Sequence, residues 1–200
     1  TRVIREGLLF LGLGVSLSVM VSIDRLVISR LMTLSDLAVY STIFATTKGF
    51  DFLFYAVGYV LMPAIGRGGN MSLRKPALVV GGVTALAVVG YLLLGDELVH
   101  LLFSGRYDEG TYLIPAFVLS GALKLFYSIP SSYISGGAPT RAVRQFMVTN
   151  LLTMALNVVL DIVFVLRMGL IGAALATAIA WALRLIAGLI IMQMHKGRAR

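Results

Sequence analysis

The sequence predicts an all-α membrane protein, a bundle of six transmembrane helices with one short external amphipathic helix. Three observations predict it. Hydrophobic residues make up 58% of the 200-residue chain and charged residues 13%, and mean hydropathy is +0.93; a soluble domain of this size needs more polar surface to cover its core. The apolar residues fall in long runs, almost back to back, of about the 20 residues that cross a ~30 Å hydrocarbon layer as a helix. The basic residues behind the net charge of +8 gather in the short segments between those runs. That distribution follows the positive-inside rule and not the one-faced patch of a nucleic-acid binder, so no nucleic-acid partner is expected.

The first span is expected over 7–32, with Asp24, Arg25 and Arg30 in its second half. A turn from Thr33 to Asp36 leads into the second, 37–65, which Lys48 and Asp51 interrupt. Pro76 opens the third, 76–94, at a position where a missing N–H costs the helix nothing. Over 96–104, Leu98, Val99, Leu101, Leu102 and Phe103 alternate with polar groups at near-helical spacing until Gly105; this predicts a short interfacial helix. The fourth span, 112–134, contains Pro115, Lys124 and Pro130, and the breakers Gly136, Gly137 and Pro139 follow it. The fifth, 143–166, carries Asn157 and Asp161. The sixth, 170–194, carries Arg184 and a stripe of small residues, Gly172, Ala176 and Ala180, suited to close helix approach.

Basic residues collect on one side of these spans and include Arg2, Arg67, Lys75, Arg141, Arg144 and Lys196. The opposite side holds the acids Asp36, Asp96, Glu97, Asp108 and Glu109 with only Arg106 and Arg167. The asymmetry predicts a multi-pass protein of the cell membrane with both ends of this segment cytoplasmic. The run that starts within a few residues of Thr1 is too long, and too charged at its end, for a cleavable signal peptide; a processed or truncated N-terminus is expected. The absence of cysteine excludes disulfides, thiolate zinc sites and thiol catalysis. No nucleophile elbow, phosphate-cradling glycine loop or histidine pair is present, and the paired acids 96–97 and 108–109 match no metal motif. The expectation is therefore no enzyme, no catalytic residue, no metal and no cofactor. A structural or assembly subunit without transport activity is a third class, beside transporter and membrane enzyme.

The ionisable residues inside the spans point to function, because a charge in hydrocarbon costs at least ~2.5–3.5 kcal/mol unless compensated. At about 1.5 Å of rise per residue, Lys48, Asp51, Lys124 and Arg184 all lie roughly 18–22 Å from the acidic face, a little past the midplane. Transporter sites commonly sit at this level. Lys48 and Asp51 share a helix face at i,i+3 and can neutralise each other. Lys124 and Arg184 then have no acidic neighbour at their level, which suits an anionic substrate. Asp24 lies shallower, and its alternatives are a coupling-cation or proton site and a structural anchor. Asn157 and Asp161, at i,i+4, read as helix-packing glue.

Several segments resemble a known pattern. Asp24–Arg25–Leu26–Val27–Ile28, Leu37–Ala38–Val39–Tyr40 and Tyr59–Val60–Leu61–Met62–Pro63 resemble the seventh and eighth helices of polysaccharide flippases, members of the multidrug/oligosaccharidyl-lipid/polysaccharide exporter superfamily. Leu101–Leu102–Phe103–Ser104–Gly105–Arg106–Tyr107 is similar to that family's external helix. Ser135–Gly136–Gly137, Asn157 and the run Gly169 to Thr177 are similar to its later helices. The likeness covers essentially the whole chain as the C-terminal half of such a transporter, which has about twelve to fourteen helices in two bundles.

The resemblance implies a transporter that moves a lipid-linked oligosaccharide, on an undecaprenyl- or dolichyl-type carrier, across the cytoplasmic membrane by alternating access. It also implies a missing N-terminal bundle or a second copy as partner, besides membrane lipids. Arg184, Lys124 and Lys48 are the expected substrate-binding residues, and Asp24 and Asp51 the expected ion-coupling or structural ones. The alternatives are a cation-coupled multidrug exporter of the same superfamily and a flippase for the peptidoglycan lipid precursor.

Overall fold

The computed structural model describes residues 7, 11, 14, 19, 22–66 and 74–195. Helix α1 is described over 22–31, and α2 spans Leu34–Thr46, α3 Lys48–Gly66 and α4 Arg74–Phe103. A 3-10 helix, Asp108–Leu113, precedes α5 (Ile114–Gly137), α6 (Thr140–Met168) and α7 (Leu170–His195). Among the described residues, α3, α4, α5, α6 and α7 are long and apolar enough to cross a membrane. The chain is an all-α membrane protein. Most of the first expected span, 7–32, lies outside the described residues.

Two elements differ from the expectation. The second span is broken in two at Thr47, whose φ of −82° and ψ of 1° leave the helical ladder. Adjacent threonines explain it: Thr46 and Thr47 each turn the hydroxyl back to a carbonyl three residues earlier, at 2.7 Å. Such bonds compete with the backbone ladder, and Thr47 N and Phe50 N duly make i→i−3 bonds. The break sets Lys48 and Asp51 in the first turn of α3.

The separate interfacial helix expected over 96–104 is absent. Those residues continue α4 without interruption, giving a helix of 30 residues, about 45 Å long. Gly95 does not break it, because the residue packs against Ile114 and Tyr91 and is buried there. Ser104 and Gly105, both at positive φ, end the helix, and the Asp108–Leu113 turn carries the chain back into the bundle.

Capping and packing follow from the sequence. Thr33 caps α2 through a reciprocal pair, accepting from Asp36 N at 3.2 Å while Thr33 N donates to Asp36 Oδ2 at 3.0 Å. Pro115 sits in the first turn of α5, where it costs no helical bond. Helix α5 is the centre of the bundle, packed against α3, α4 and α7, and α7 packs in turn on α6. Gly121 makes the α3–α5 approach possible: a Cβ there would lie 2.5 Å from the Phe50 ring. The stripe expected on the last helix is the packing face, with Gly172, Ala176 and Ala180 all buried. Helix α4 is peripheral and exposes Leu78, Val79, Leu86 and Leu93, a surface suited to acyl chains.

Candidate functional site

Polar residues recur on the buried faces of α5, α6 and α7 at helical spacing. On α7 these are Thr177, Trp181 and Arg184, at i, i+4 and i+7; on α6 they are Asn150, Asn157 and Asp161, at i, i+7 and i+11. Residues at such intervals share one helix face, so the two helices face each other along a polar seam inside an apolar bundle. Two centres form along it.

The first centre is acidic and lies toward the acidic face of the molecule. Asp24 of α1, 2% exposed, accepts hydrogen bonds through Oδ2 from the Tyr40 hydroxyl of α2 and the Thr177 hydroxyl of α7, both at 2.7 Å. The Asp161 carboxyl lies beside that of Asp24. Asn157 Nδ2 donates to Asp161 Oδ2 at 2.6 Å. Among the described residues, Asp24 Oδ1, Asp161 Oδ1 and Asn157 Oδ1 are buried and accept no hydrogen bond. Two adjacent carboxylates repel in a medium of low dielectric, and a proton or a cation between them removes that repulsion.

The second centre is basic. Asp51 holds two lysines, Lys124 Nζ at 2.6 Å on Oδ1 and Lys48 Nζ at 3.1 Å on Oδ2. The expected i,i+3 pair of Lys48 and Asp51 is therefore present. The expectation that Lys124 has no acidic neighbour is corrected: α3 folds against α5 and brings Asp51 to it across 73 positions of sequence. Lys48 remains about half exposed, whereas the Lys124 side chain is 7% exposed.

Aromatic rings surround these charges. Lys124 Nζ lies 5.1 Å from the Trp181 ring centroid and 5.3 Å from that of Phe54, and Lys48 Nζ lies 4.5 Å from that of Phe44. Arg184 is fully buried, its guanidinium carbon 5.5 Å from the Trp181 centroid, and Nη2 donates to the Asn150 carbonyl at 3.2 Å. Tyr127 fixes that carbonyl's residue by donating to Asn150 Oδ1 at 2.8 Å. The structure thus brings Lys48, Asp51, Lys124 and Arg184 into one neighbourhood around Trp181. Cations against indole and phenyl faces are stabilised by the ring quadrupoles.

A narrow gap of about 30 Å³, lined by Asp24 and Thr177 on one side and Asp51, Lys124 and Trp181 on the other, lies between the two centres. Next to the basic centre is a larger cleft between α3 and α5, about 320 Å³. Its near wall includes Phe54, whose ring also meets Lys124.

Asp161 escapes a sequence reading as a partner of Asp24 because 137 positions separate them. Tyr40, Asn150 and Trp181 look like ordinary span residues for the same reason. The one local signal is the i,i+3 to i,i+4 repetition of polar residues on otherwise apolar helices.

Fold and centres together define a multi-helix membrane protein with two opposed ionisable centres buried in its bundle. The chain is 24% identical over 158 residues to an uncharacterized membrane protein of Methanocaldococcus jannaschii, a match that covers 78% of this chain and 37% of that protein. The chain therefore spans well under half the length of that relative. No family model and no solved structure matches the chain.

Proposed function

We propose that the chain forms one bundle of a transporter that carries a lipid-linked oligosaccharide across the cell membrane by alternating access, its basic loops facing the cytoplasm. One observation carries the reading: two lysines share a single carboxylate at mid-bundle depth, with Arg184 on the same indole ring. Even with Asp51 ionised, that pairing leaves positive charge beside a cleft. The pyrophosphate of a prenyl-linked sugar is a complementary anion. Lysine supplies compact charge and arginine a planar fork of donors for its oxygens.

In this reading Lys124, Lys48 and Arg184 receive the pyrophosphate, and Asp51 keeps the two lysines oriented and soluble in the bundle until substrate arrives. The bundle rocks against a partner bundle, either an N-terminal half or a second copy, and the lipid tail stays in the bilayer. The break at Thr47 sets Lys48 and Asp51 in the first turn of α3; in this reading that helix end lies in mid-membrane, a device transporters use at binding sites.

The acidic centre supports a coupling role for Asp24. A cation or proton held by Asp24, Asp161 and Asn157 would tie α1, α6 and α7 together, and its release would loosen them. A cation-coupled exporter of other substrates is the second reading, and it makes this centre rather than the basic one decisive.

The test uses the full-length protein in proteoliposomes and follows translocation of a fluorescent polyprenyl-pyrophosphate sugar. Lys124→Gln combined with Arg184→Gln is expected to lower the rate at least ten-fold with insertion unchanged; an unchanged rate overturns the anion site. Asp24→Asn is expected to abolish the response of that rate to a cation or proton gradient.

A further inference from the structure

We infer that the cleft between α3 and α5 is a sugar-ring site, in which the first glycan residue next to the pyrophosphate stacks on tyrosines and hydrogen-bonds to a ladder of serine hydroxyls. The inference rests on the flippase reading above and assigns the part of the substrate that the basic centre leaves unaddressed.

The wall from α5 carries Ser128, Ser131, Ser132 and Ser135 at i, i+3, i+4 and i+7, one helix face turned into the cleft. Serines in apolar helices ordinarily hide the hydroxyl by bonding a carbonyl of the preceding turn. Ser128 does so, donating to Leu125 O at 2.6 Å, and Ser131 lies within reach of the Tyr127 hydroxyl. Ser132 is 2% exposed, lines the cleft, and makes no hydrogen bond among the described residues, nor does Ser135. Ser135 is only partly buried and neither hydroxyl is sealed from the cleft, so both can bond a polar occupant there.

The opposite wall comes from α3 and supplies Tyr55 and Tyr59 with Gly58 between them. Both tyrosines are more than half exposed, and each offers a flat apolar face with a hydroxyl at its tip. Gly58 weakens a helix interior by about 1 kcal/mol relative to alanine. No packing requires it: a Cβ there would meet nothing within 4 Å. Its effect is to keep the cleft open.

Among the described residues, no charged side chain lines this cleft, which favours a neutral ligand over a second phosphate. Aromatic faces with hydroxyls around them suit a pyranose, whose ring presents C–H bonds on its faces and hydroxyls on its edge. About 320 Å³ is at the lower end of small-ligand pockets, enough for one sugar residue. Phe54 belongs to this cleft and also lies against Lys124, so sugar and pyrophosphate would occupy adjoining spaces.

The experiment measures equilibrium binding of two probes to purified full-length protein: a bare polyprenyl pyrophosphate, and the same lipid carrying one N-acetylhexosamine. The wild type is expected to bind the sugar-bearing lipid at least ten-fold more tightly. Gly58→Leu, which fills the cleft, and the paired Ser132→Ala, Ser135→Ala variant are each expected to erase most of that ratio. Equal affinity for both probes in the wild type overturns the sugar site and leaves the pyrophosphate reading standing. A ratio unchanged in both variants overturns the site as well, as does an equal loss for both probes, which would mark the cleft as a seat for the lipid tail. A wild type that binds neither probe overturns the flippase reading itself.

Discussion

The two buried centres differ in chemistry and in access. Around Asp24 the polar groups are carboxyls, hydroxyls and an amide, tightly enclosed, and α1, α2, α6 and α7 all converge. Around Asp51 the side chains are mainly cationic, aromatic rings replace hydroxyls, and the Lys48 side chain is 48% exposed. An enclosed acidic centre suits a small cation that several helices must agree to hold. A basic centre beside open space suits a larger anion that enters and leaves. A narrow gap between them is lined by residues of both; in the proposed transporter, occupancy of one centre would bias the other across it.

The contrast can be broken by substitutions, and the largest effect is expected at the basic centre. Asp51→Leu leaves Lys124 buried with its carboxylate partner gone; removing one member of a buried pair costs about 3–5 kcal/mol. Thermal unfolding of the detergent-solubilised protein should show a large loss, and replacing Lys124 by Met in the same chain should restore much of it. A smaller effect is expected at the acidic centre. Tyr40→Phe removes one of two hydroxyl donors to Asp24 and should cost about 1–3 kcal/mol, because Thr177 still serves the same oxygen. The smallest is expected away from both centres. Thr33→Ala abolishes the α2 cap, worth about 1 kcal/mol, and should lower the unfolding temperature without altering transport.

Much of the architecture is legible in the sequence because the bilayer imposes it. Runs of apolar residues delimit α4, α5, α6 and α7 to within a few residues, except at 96–104, where the outer end of α4 imitates an independent amphipathic segment. The run 96–104 is polar on one face because α4 outlasts the hydrocarbon layer, and periodicity alone cannot distinguish a protruding helix from a separate one. The break at Thr47 is written locally, in the Thr46–Thr47 pair, but a two-residue signal inside a 29-residue apolar run is easily overridden. Depth counting correctly groups Lys48, Asp51, Lys124 and Arg184. It cannot say which cation meets Asp51, since that depends on the α3–α5 approach which Gly121 permits. The pairing of Asp24 with Asp161 is illegible for the same reason: nothing local links α1 to α6.

The central claim is that the centre around Lys124 binds an anionic lipid headgroup. Affinity of the full-length protein for bare polyprenyl pyrophosphate, compared between wild type and Lys124→Gln at fixed salt, tests it most directly. The account predicts at least a ten-fold weakening, about 1.4 kcal/mol, that shrinks as salt is raised. Equal affinities at every salt concentration would contradict it.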